Sequence, residues 1–170
     1  MRILIPVAAT SLLVGQAQAA DLAVQIAIPR LDVAEYHRPY VAVWIEGPDQ
    51  KVAANLAVWY DTKKHNNEGA QWLKDLRQWW RRSGRELTLP VDGVTGATRP
   101  VGEHQLVFSE GKAPLGKLAE GQYELVVEAA REVGGRELLR VPFQWPPKAP
   151  AQAQAQGKNE LGRVSVAVKP

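Results

Sequence analysis

Seven short β-forming runs, each closed by turn residues, commit this chain to a sheet-built fold. Residues 22–28 place Leu22, Val24, Ile26 and Ile28 on one face and stop at Pro29, the period of a strand covered on one side. Residues 40–46 and 52–60 flank Gly47-Pro48-Asp49 and read as an antiparallel hairpin, with Trp44, Trp59 and Tyr60 as large cross-strand side chains. Strands are expected again over 103–108, 122–130, 137–145 and 161–168. Gly134-Gly135 is a tight-turn signal, and 109–121 is a longer connection rich in Gly and Pro. One segment departs from this pattern. Over 68–82, Trp72, Leu73, Leu76, Trp79 and Trp80 recur at helical spacing among charged residues and end at Ser83-Gly84, which predicts one amphipathic helix. The Pro/Ala/Gln stretch 146–158 reads as a low-complexity loop. The sum is a mainly β sandwich with one inserted helix, a single domain over 20–170.

The first nineteen residues read differently. Met1-Arg2 is a short positive start, 3–14 is an apolar run too short to span a bilayer, and Ala17-Gln18-Ala19 is a small-residue cleavage site. This is the pattern of a secretory signal peptide over 1–19, and it predicts an exported, periplasmic protein. The chain has no Cys, and its one Met is Met1. An exported protein without sulfur has no disulfide framework, Fe–S cluster, c-type haem, thiolate zinc site, blue copper or Cys nucleophile. With 21 Lys+Arg against 18 Asp+Glu, the formal charge of +3 is too small to suggest nucleic acid as a partner. His37, His65 and His104 are far apart and form no metal-binding spacing, so no metal site is expected. No GxSxG, phosphate loop or dinucleotide fingerprint is present, and no catalytic residue is assigned.

Between the helical segment and the next strand lies Asp92-Gly93-Val94-Thr95-Gly96-Ala97-Thr98-Arg99-Pro100. Gly93 and Gly96 permit a tight backbone turn, and Thr95 and Thr98 offer hydroxyls with little bulk around them. Such a loop suits a modifying enzyme that must reach its acceptor, and it is equally common as an inert turn.

Asp-Gly-x-Thr-Gly-Ala-Thr resembles the flavinylation motif of FMN-binding domains in membrane-bound sodium-pumping and electron-bifurcating redox complexes. In those proteins a Mg²⁺-dependent flavin transferase moves FMN from FAD onto the final Ser or Thr. The resemblance implies Thr98 as the FMN acceptor, with Asp92, Gly93, Thr95, Gly96 and Ala97 forming the recognition segment. At ordinary residue frequencies such a pattern arises by chance in roughly one chain of this length in ten thousand. Residues 28–42, 72–80, 95–102 and 134–145 are similar to the predicted periplasmic proteins of domain-of-unknown-function family 2271, and the likeness covers essentially the whole chain after residue 19. Proteins in similar settings lie beside PepSY-type membrane reductases and iron-uptake receptors, which implies extracytoplasmic electron transfer, possession of FMN as the cofactor and a role in iron assimilation. Residues 102–123, with Gly116, Leu118 and Gly121 before Tyr123, also resemble an immunoglobulin-like or fibronectin-like hairpin, which narrows the expected sandwich to that type. The sheet pattern is not that of the known FMN-binding domains.

Two functions therefore stand open. One is an electron carrier, rather than a free-standing enzyme, with covalent FMN on Thr98. In that reading Arg99 offsets the phosphodiester charge and Trp79, flanked by polar residues, offers an exposed wall for the isoalloxazine ring. Trp72, Leu73, Leu76 and Trp80 then form the core-packing stripe. The other is a cofactor-free immunoglobulin-like accessory module whose Trp/Arg-rich helix face contacts a membrane partner or anionic lipid headgroups.

Overall fold

The computed structural model describes residues 19–170, so all of the expected signal peptide but its last residue lies outside the described residues. Nine strands are found among the described residues. β1 (Asp21–Ile28), β5 (Gly102–Ser109), β9 (Arg163–Lys169) and β8 (Ala151–Gln156) form one sheet, in the order β5-β1-β9-β8. The other has the order β4-β3-β2-β6-β7, from β2 (Tyr40–Glu46), β3 (Val52–Tyr60), β4 (Thr95–Ala97), β6 (Gly121–Ala130) and β7 (Arg136–Trp145). All strand pairs are antiparallel except β3–β4, which is parallel.

The two sheets pack face to face as a sandwich. β1 and β5 oppose β3-β2-β6-β7 as the B and E strands oppose C′-C-F-G in immunoglobulin-type domains, and the C-terminal β9 takes the place of the first strand. Tyr123, near the start of β6, donates its hydroxyl to the carbonyl of Ala119 at 2.9 Å, the tyrosine corner of such sandwiches. Residues 102–123 are nevertheless not a hairpin. β5 pairs with β1 and β6 with β2, so the 109–121 connection crosses from one sheet to the other.

Burial explains the sequence patterns strand by strand. In β1, Leu22, Val24, Ile26 and Ile28 enter the core between the sheets while alternate residues face outward. In β2 and β6 both faces are covered, so apolar residues run on without alternation. Val41, Val43, Ile45, Leu125 and Val127 fill the space between the sheets. Ala42, Trp44 and Val126 face a second core under the helical segment.

That segment is not one helix. It is a 3-10 stretch, His65–Asp75, with Asn66 and Asn67 at positive φ, followed by α1 (Arg77–Arg82) and a 3-10 turn, Gly84–Glu86. The break falls at Leu76 (ψ 71°), and its cause is Glu128 on β6. The Glu128 carboxylate accepts the backbone N–H of Gln78 (3.0 Å) and Trp79 (2.8 Å). Those two donors are lost to the i−4 ladder, so the α-helix has to begin there.

The stretch expected as a loop at 146–158 contains β8. Its Ala-Gln repeat has the period of a strand: Ala153 and Ala155 lean on the core and the Gln residues face water. The turn after β8 is held by Glu137, whose carboxylate accepts backbone N–H bonds from Lys158, Asn159 and Leu161 (2.6–3.0 Å). Burial pushes the Glu137 pKa up, but these donors outweigh it and hold the carboxyl below its ordinary value. A depressed pKa adds stability above the unfolded-state value, and that stability disappears as pH falls through the folded-state value. The gap in unfolding free energy between wild type and Glu137→Gln is therefore expected to shrink below about pH 4. A gap that stays constant from neutral to strongly acidic pH would count against this role.

Candidate functional site

The Asp92–Thr98 segment is a turn that runs into an edge strand, rather than an open loop. Asp92 and Gly93 are exposed, and Gly93 has φ +72°, a conformation that favours glycine. Val94 is buried in the second core and its carbonyl accepts the N–H of Val58 at 2.9 Å. Thr95 closes the turn: its Oγ1 accepts the backbone N–H of Val91 and its own N–H bonds to the Val91 carbonyl, both at 2.9 Å. Its hydroxyl is thus already engaged.

Beyond the turn, Thr95, Gly96 and Ala97 pair in register with Val58, Trp59 and Tyr60. A Cβ on Gly96 would stand 3.2 Å from the Trp59 ring, so glycine lets β4 lie close to that indole. Ala97 is exposed and Thr98 half-buried, and the Thr98 N–H extends the ladder to the Tyr60 carbonyl at 3.2 Å. In contrast to Thr95, the Thr98 hydroxyl takes no hydrogen bond among the described residues, and it is not a buried polar atom. It is a free hydroxyl at the end of an edge strand.

Arg99 is exposed and lies over the Trp59 ring, 5.1 Å from its centroid. His104 on β5 meets the same ring edge-on at 5.8 Å. Its Nε2 donates to the Pro100 carbonyl at 2.7 Å, since a carbonyl can only accept. Trp59 itself is 2% exposed, so it supports the site from beneath without offering a free face. Sequence reasoning missed its part here, because the parallel β3–β4 register brings together residues more than 30 positions apart.

Trp79 is not at the site. It is fully buried in the second core, and its Nε1 donates to Asn55 at 2.9 Å. The restart of the helix at Leu76 turns Trp79 inward with Leu73 and Leu76 and leaves Trp72 at 50% exposure, the reverse of the expected assignment.

The sequence profile of the family described as predicted periplasmic protein (DUF2271) matches residues 21–163. The chain belongs to this family. No curated protein and no solved structure matches it. The match takes in both sheets as far as the start of β9, so in this DUF2271 protein the Asp92–Thr98 segment is part of the family's domain. Among the described residues no helix is long and apolar enough to cross a membrane, and no group of three or more His, Asp or Glu side chains is placed to hold a metal. None of five surface hollows found among them is lined by a motif residue.

Proposed function

We propose that this protein carries FMN as a phosphodiester on Thr98 and relays electrons in the periplasm. The supporting observation is the Thr98 hydroxyl, unengaged at the end of an edge strand, beside the exposed guanidinium of Arg99. A transferase needs an acceptor it can reach from outside. Thr98 offers that with its backbone already fixed by Tyr60, while Thr95 is spent on closing the turn. Attachment forms a bond between Thr98 Oγ and the FMN phosphorus of FAD. The pyrophosphate P–O bond breaks, AMP leaves and the hydroxyl proton passes to the transferase. The product keeps one negative charge, which Arg99 as the next residue would offset.

Bound flavin supplies the redox chemistry, accepting and releasing electrons without any sulfur ligand. The chain holds the tether at one end of the five-stranded sheet. We assign the donor side to a PepSY-type membrane reductase and the use to iron assimilation, on the strength of the family resemblance.

The test is the intact mass of protein exported from a host with an active flavin transferase. Wild type and Thr98→Ser are expected to gain one FMN and to fluoresce in a denaturing gel. Thr98→Ala is expected to show neither, with unfolding free energy within about 0.5 kcal/mol of wild type. An unmodified wild-type mass, with the transferase shown to be active, would falsify the reading and leave a cofactor-free accessory module.

A further inference from the structure

At the same end of the five-stranded sheet lies a hollow of about 250 Å³, walled by Trp72, Tyr40, Ala130 and Val133 with Arg38 at its rim. Trp72 is 50% exposed and Val133 78% exposed, an unusual display of large apolar side chains for one small patch. Tyr40 donates its hydroxyl to the Gly69 carbonyl at 3.1 Å and so pins the 3-10 stretch that carries Trp72 against the sheet. Two carboxylates, Asp75 and Glu132, also face the hollow. Arg131 lines it but is committed to Glu160 through a bidentate pair at 2.8 and 3.1 Å. Arg38 makes no ion pair among the described residues.

The hollow and Thr98 lie at the same end of the five-stranded sheet. The Thr98 backbone N–H bonds to the Tyr60 carbonyl, the Tyr60 ring meets the Tyr40 ring at 6.2 Å, and Tyr40 lines the hollow. From β4 across β3 and β2 to β6 is three strand spacings, about 14 Å. Eight bonds separate Thr98 Oγ from the first ring nitrogen of a tethered FMN, roughly 10 Å when extended, and the ring system adds several more. Trp59 is 2% exposed and is capped by Arg99 and His104, whereas Trp72 carries the Lys74 ammonium over one side of its ring at 5.6 Å and is still 50% exposed.

We propose that the Trp72–Tyr40 hollow is the docking site for the isoalloxazine ring of the flavin tethered at Thr98. Trp72 supplies the stacking surface. Arg38 supplies a cation beside a ring that becomes electron-rich on reduction. The inference rests on the proposed attachment at Thr98, and the experiment separates the two.

Flavin fluorescence and intact mass are to be measured on the same exported samples of wild type, Trp72→Ala, Trp72→Phe and Arg38→Gln. In wild type the attached flavin is expected to be quenched several-fold relative to free FMN. Trp72→Ala should restore the emission with the FMN mass unchanged, and Trp72→Phe should quench only in part. Arg38→Gln should lower the flavin midpoint potential. Attached flavin that is as bright as free FMN, or equally quenched in Trp72→Ala, overturns the docking site and leaves attachment standing. Absence of the FMN mass in wild type, with active transferase, overturns both.

Discussion

Glu128→Ala is expected to lower the unfolding free energy by about 3–5 kcal/mol, the cost of breaking a buried charged network by removing one partner. Glu128 is fully buried on the outer face of β6, paired with Ala42 of β2 on one side and Leu138 of β7 on the other. Its carboxylate accepts the N–H groups of Gln78 and Trp79 and the guanidinium of Arg136, the last at 2.7 Å. The first N–H groups of any α-helix lack intrahelical partners, and here Leu76 at the cap position provides no side-chain acceptor. The sheet supplies the cap instead. Alanine would strand two backbone donors beneath the helix and leave Arg136 without its partner. Glu128→Gln keeps one good acceptor oxygen but no charge, and an intermediate loss is expected. Chemical denaturation followed by tryptophan emission measures all three proteins. A loss under about 1 kcal/mol for the alanine variant would show that α1 docks by packing alone.

The same contact marks where reading the sequence reaches its limit. Strand periods were legible wherever one face is wet, as in β1, and wherever turn residues bracket an apolar run, as in β2 and β6. They were legible because alternation and turn chemistry are local. The helical segment was legible as helical but not in its phase. The carboxylate that resets it comes from a residue about fifty positions away. β8 was hidden for a different reason: Ala and Gln are poor strand formers, and its pairing with β9 overrides that propensity. At the candidate site, the spacing of Asp92, Gly93, Thr95, Gly96 and Thr98 was plain in the sequence. The different tasks of the two threonines were not. Thr95 closes the turn and Thr98 is left free only because β4 lies parallel to β3, a register set by a long crossover.

Trp79→Ala and Trp72→Ala are expected to separate widely, although the two residues are seven positions apart in one segment. Trp79 is fully buried, its indole N–H bonds to Asn55, and Asn55 also takes the Ser83 hydroxyl at 3.0 Å. Gly84 lies so close to the ring that a Cβ there would be 2.6 Å from it. Removing this side chain leaves a large cavity beneath the helix and reduces Asn55 to the Ser83 hydroxyl as its donor, a loss of about 3–5 kcal/mol. Trp72 fills no core space, and its truncation is expected to stay within about 0.5 kcal/mol of wild type. Urea unfolding midpoints decide it, and a larger loss for Trp72→Ala than for Trp79→Ala would mean that the helical segment is phased as its spacing alone suggests. The contrast also bears on function. Trp72 is half-exposed, carries Lys74 over its ring at 5.6 Å, and sits on a segment anchored from below by Trp79 and Glu128. Its replacement then reports on flavin docking without the confusion of a damaged fold.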